Sequence, residues 1–74
     1  MRVRIIESGI EFETGYIYQV YFKDGTSGIY YVIGLVNRSI GRTMIRVRSE
    51  DGYHGFIPVD QVLDMKSQDE TPLA

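Results

Sequence analysis

Seventy-four residues are enough for one small domain, and the absence of cysteine removes both disulfides and thiolate metal sites as supports. A core of this size supplies only about 3–5 kcal/mol, so a closed β-barrel or self-association is the expected route to stability. The formal net charge of −2 argues against a general nucleic-acid binder, though not against a local basic face.

No apolar run is long enough to span a bilayer. Arg2 and Arg4 are followed by no apolar segment of the signal-peptide type. Together with the lack of cysteine, this leads us to expect a cytoplasmic protein with no membrane partner. Asn37-Arg38-Ser39 matches a glycosylation acceptor, but without secretion it reads as a turn.

In chain order, residues 2–8 predict a first strand, with Val3 and Ile5 on one face and Arg2, Arg4 and Ile6 on the other. Residues 9–15 read as an irregular loop bearing Glu11, Phe12 and Glu13. Residues 16–22 form a second strand, with Tyr16, Tyr18, Val20 and Phe22 assigned inward. Lys23-Asp24-Gly25-Thr26-Ser27-Gly28 is a turn cluster. Residues 29–36 are apolar on both faces, as in a strand covered on both sides or awaiting a partner on its outer side. Gly34 within this run suggests a bulge or bend. Residues 42–49 alternate, with Thr43, Ile45 and Val47 inward and Arg42, Met44, Arg46 and Arg48 outward.

Glu50-Asp51-Gly52 has hairpin-turn chemistry. The next strand, residues 55–57, stops at Pro58, which has no N–H to give to a ladder. A short helical turn over residues 58–62 and a last strand over residues 63–66 follow. Residues 67–74 are polar, contain Pro72, and read as a disordered tail behind a single domain over residues 1–66. No stretch of helical periodicity occurs. The expected fold class is all-β: a small barrel of about five or six antiparallel strands with one short 3-10 turn near Pro58 and Val62.

The run Gly52-Tyr53-His54-Gly55-Phe56-Ile57-Pro58-Val59-Asp60-Gln61-Val62 resembles the C-terminal half of a Src-homology-3 domain, with its distal-turn glycine, second glycine, proline, one-turn helix and final strand. Phe22-Lys23-Asp24-Gly25 is similar to that family's diverging turn, and the likeness covers residues 22–66. It implies the barrel. The family's groove for proline-rich helices needs a tryptophan and a tyrosine, where this chain has Ile45 and Gln61, so the ligand is not carried over. The turn at Pro58 also resembles the one closing plasmid-encoded dihydrofolate reductases. His54-Gly55-Phe56-Ile57 lacks the glutamine and tyrosine of their pore, so that activity is set aside.

Six tyrosines and three phenylalanines are more rings than so small a core can hold. With Tyr16, Tyr18, Phe22 and Tyr31 assigned to the interior, Tyr21, Tyr30 and Tyr53 face outward with Phe56. Tyr30, Val32 and Val36 then line an outer face suited to a protein partner or to a homodimer. Glu11 and Glu13, two apart and facing one way, would select a basic partner. The leading expectation is therefore a non-enzymatic protein-interaction module, an adaptor or inhibitor. Its binding residues are Tyr21, Tyr30, Val32, Tyr53, Phe56, Glu11 and Glu13. The alternative is a nucleic-acid-binding barrel using Arg2, Arg4, Arg42, Arg46 and Arg48. His54 reads as a surface histidine. No catalytic constellation, metal-ligand spacing or cofactor motif is present in the sequence.

Overall fold

The computed structural model describes residues 4–7, 9–39 and 42–68, with residues 7, 38, 39 and 42 given by their backbone alone. The strands are β1 (Arg4–Glu7), β2 (Ile10–Glu13), β3 (Ile17–Phe22), β4 (Ser27–Ser39), β5 (Arg42–Ser49), β6 (His54–Pro58) and β7 (Val62–Ser67), and a 3-10 turn at Val59–Gln61 precedes β7. The chain is all-β, as its alternation and turn chemistry require. Among the described residues no helix is long and apolar enough to cross a membrane.

The strands form a β1–β2 hairpin and a five-stranded sheet in the order β6-β5-β4-β3-β7, antiparallel throughout. This corrects the expected closed barrel of five or six strands. Among the described residues there are seven strands in two sheets, and no ladder joins β6 to β7. β2 packs beside β7, so the hairpin covers the end of the sheet where closure would have occurred.

β2 is also a correction to the loop expected over residues 9–15. Ile10 and Phe12 turn inward, and Phe12 is only 2% exposed. Glycines at 9 and 15 and two glutamates mask a period-two pattern that is present in the sequence. Phe12 meets Tyr18 edge to face at 6.5 Å, and the Tyr18 hydroxyl accepts the backbone N–H of Glu13 at 2.8 Å. The hairpin is therefore locked to the sheet by both an apolar and a polar contact.

The core lies on the inner face of the sheet: Tyr18, Val20, Val32, Ile45, Val47, Ile57, Val59, Val62 and Met65, with Phe12 from the hairpin. Ile45 and Val47 point inward as expected. β4 does not follow the expected assignment. Val32 is 0% exposed and pairs with Val47, and Tyr30 packs against the core, its ring edge-on to Phe22 at 6.4 Å. A side chain at Gly28 would meet the Tyr30 ring at 2.9 Å, so glycine there makes room for the ring. Tyr31, expected inside, has the opposite parity. A register shift between Val32 and Gly34 then switches the inward parity, so that Leu35 faces the core opposite Ile45. The expected bulge falls at the residue before Gly34, between it and Val32, and it explains why β4 is apolar at both parities.

Two turns fix the register. Gly52, at φ 92°, closes the β5–β6 hairpin, where the Ser49 N–H donates to the Tyr53 carbonyl at 2.8 Å. After β3, Gly25 at φ 94° closes a turn in which the Asp24 carboxylate accepts the Thr26 hydroxyl at 2.6 Å and the Thr26 N–H at 2.9 Å. The Lys23 N–H then reaches the Gln61 carbonyl at 2.9 Å, tying this turn to the 3-10 turn.

The bonds from Thr26, its hydroxyl first, hold the Asp24 carboxyl below its ordinary value of 3.8. A depressed carboxyl stabilises the fold above its unfolded pKa and ceases to do so as pH falls through its folded one. Asp24→Asn is therefore expected to melt below wild type at neutral pH, with the gap closing in acid below 3.8. Thermal melts of both proteins across that range check it; a gap independent of pH overturns it.

At the C-terminal side, the strand expected over residues 63–66 extends into the assigned tail. Ser67 pairs with Tyr18, and the Gln68 N–H donates to the Ile17 carbonyl at 2.7 Å. The rest of that tail, residues 69–74, lies outside the described residues.

Candidate functional site

The outer face of the sheet is read directly from the registers. Ile17 pairs with Tyr31, Tyr31 with Arg48, and Arg48 with His54, giving one row across β3, β4, β5 and β6. Two residues along, Gly34 pairs with Arg46 and Arg46 with Phe56, giving a second row. Adjacent strands lie about 4.8 Å apart, so each row is a short ladder of neighbouring side chains.

In this array Arg46 and Arg48 are exposed. The Arg48 guanidinium lies over the Tyr31 ring, 5.0 Å from its centroid. Phe56 is 45% exposed on β6, and Tyr53 is 74% exposed in the turn above it. No side chain rises from Gly34, and one added there would meet no heavy atom within 4 Å. The floor between Tyr31 and Arg46 is therefore open. Beside this array, Ile17 (38% exposed), Ile29 and Tyr31 line an apolar hollow of about 430 Å³ rimmed by Arg48 and Glu50. Toward the β7 edge of the sheet Tyr21 is half-buried, with the Lys66 ammonium 5.9 Å from its ring centroid.

The expected arginine cluster is only partly assembled. Arg46 and Arg48 share the outer face, and Arg42 begins the same strand. Arg4 belongs to β1, which pairs only with β2 among the described residues, and it forms an ion pair with Glu11. It therefore does not join the β5 arginines. Arg2 lies outside the described residues. Glu11 and Glu13 flank a separate cleft of about 610 Å³ between hairpin and sheet, with Phe12, Tyr16 and Tyr18 in its walls. Of the expected protein-binding residues, Tyr30 and Val32 turn inward, whereas Tyr53, Phe56 and part of Tyr21 reach solvent.

Tyr31, Ile29, Ile17 and Gly34 were not anticipated at this site. A sequence signal for it does exist in the distribution of charge. Residues 25–49 contain four of the eight basic residues and none of the ten acidic ones. β6 adds His54 and no acid. The net charge of −2 thus averages an acid-free cationic segment with strongly acidic flanks. Among the described residues neither Arg46 nor Arg48 is in an ion pair; the pair present is Arg4 with Glu11.

No protein-family model, curated protein or solved structure matches the chain.

Proposed function

We propose that this chain is a small non-enzymatic interaction module of the Src-homology-3-like kind, working through the outer face of β4, β5 and β6 on a partner that presents anionic groups. The β5–β6 hairpin, single 3-10 turn and returning last strand stand in the order that the family resemblance implies, which supports the first part. One observation carries the second: a two-row array in which Arg46 and Arg48 stand among Tyr31, His54, Phe56 and an open glycine floor, with no carboxylate on those three strands.

Arginine forks recognise carboxylate or phosphate, and flat rings beside them supply contact area at low entropic cost. The partner surface first expected rested on Tyr30 and Val32. With both turned inward, what remains outward is cationic as well as aromatic. A homodimer through this face is disfavoured, because an isologous contact would set the same cationic, carboxylate-free patch of both copies together.

The test is retention on immobilised heparin at low ionic strength. Wild type is expected to be held and to elute at higher salt than the Arg46→Ala/Arg48→Ala double variant, with matching circular dichroism and melting temperature. Wild type in the flow-through, or identical elution of the two, overturns the proposal.

A further inference from the structure

Resting on that reading of the face, we infer that its partner is single-stranded nucleic acid, bound by backbone charge and base stacking without a sequence code. Phosphates sit on Arg46 and Arg48, and bases stack on the Arg48–Tyr31 pair and on Phe56 beside the open floor at Gly34.

The first support is the alternation of charge and ring. Single strands are held by a basic track interleaved with aromatic platforms, because every base has a π-face to stack. Arg46 and Arg48 lie two residues apart on β5, hence about 7 Å, the scale of successive phosphates on an extended strand. Tyr31 and Phe56 lie on the strands to either side of β5, one in each row. An acidic protein surface would satisfy the two guanidinium groups, but it would make no use of the bare backbone at Gly34.

The second support is Gly34. A glycine inside a strand weakens it, and such a position marks a bulge or a close approach by another group. Here the bulge belongs to the residue before it, between Val32 and Gly34, while Gly34 itself pairs regularly with Arg46. Its missing side chain falls on the outer face, where nothing lies within 4 Å, and a planar base can settle against the backbone. The third support is the Arg48–Tyr31 stack. With the guanidinium already over the ring, a base extends an existing stack.

Acidic residues limit the face. Glu50 and Asp51 stand at the tip of the β5–β6 turn, and Asp64 on β7 pairs with Tyr21 beyond β3. They bound the anion-binding area at the hairpin tip and beyond β3, and the small area left suits one extended strand rather than the paired backbones of a duplex. Bases must also be unstacked to meet the rings, which again selects a single strand.

The experiment is fluorescence anisotropy of labelled oligothymidylate and oligouridylate of about 15 nucleotides, with a duplex of equal length and heparin as comparisons. Three single variants are used: Arg46→Ala, Tyr31→Leu and Gly34→Val. Each is first shown by melting to be folded. The single strands are expected to bind wild type with a Kd below about 100 μM at low salt, and the duplex more weakly. Tyr31→Leu and Gly34→Val each weaken single-strand binding at least about 5-fold and leave heparin elution in place. Arg46→Ala weakens both ligands and flattens the dependence of log affinity on log salt by about 0.7.

If heparin is retained but the oligonucleotides do not bind, the inference fails and the anionic-partner proposal stands. If Tyr31→Leu and Gly34→Val leave single-strand binding unchanged, stacking is absent and the inference again fails. If neither ligand binds, both fail. Should one of the two stacking variants not fold, the other carries the test.

Discussion

Phe12→Ala is expected to leave the protein largely unfolded at room temperature. Removing a buried phenylalanine ring costs about 3–5 kcal/mol, which is about the whole stability a core of this size supplies. Phe12 is fully enclosed and is the hairpin's main apolar anchor, set edge-on against Tyr18. Its loss also loosens the bond from the Glu13 N–H to the Tyr18 hydroxyl. Urea denaturation followed by circular dichroism is the measurement. A midpoint close to wild type would mean that the hairpin contributes nothing to the core, contrary to the packing described.

Val32→Asp is expected to be equally disruptive, whereas Tyr31→Asp, one residue earlier, is expected to leave a folded protein. Val32 has no exposure and faces Val47 across the ladder. A carboxylate there is either buried unpaired, at a cost of several kcal/mol, or protonated, which itself costs free energy at neutral pH. At position 31 the side chain projects toward solvent beside Arg48, and the main loss is the ring's partial packing. The contrast is measured by the same denaturation experiment. Equal tolerance at the two positions would show that the parity of β4 has been misassigned.

That parity also marks the limit of what could be read without coordinates. In β5, arginine alternates with isoleucine and valine, so the pattern alone orients the strand, and Ile45 and Val47 do face inward. The Gly52 turn, the stop at Pro58 and the 3-10 turn were legible for the same reason, since each depends on local backbone chemistry. β4 offers no such contrast. Ile29, Tyr30, Tyr31, Val32 and Ile33 are all apolar or aromatic, and their direction is set by partners on other strands and by a bulge that reverses it midway. Phe12 was hidden by its glutamate neighbours, which suggested a loop although the alternation was intact. The binding face depended on the same unresolved parity. Arg46 and Arg48 were assigned to an outer face, but their neighbours Tyr31 and Gly34 could be placed only through cross-strand pairing.

β3 lies between β4, its neighbour in sequence, and β7, which follows it by some forty residues. During synthesis one border of β3 therefore has no ladder until the chain has been made through residue 67, and its backbone amides stay available to other strands meanwhile. The β3–β7 ladder is the one in the five-stranded sheet that joins strands distant in sequence; the other three join consecutive strands. A ribosome stalled before β7 would present a four-stranded sheet with β3 as an open edge, and with Val20 and Met65 not yet brought together.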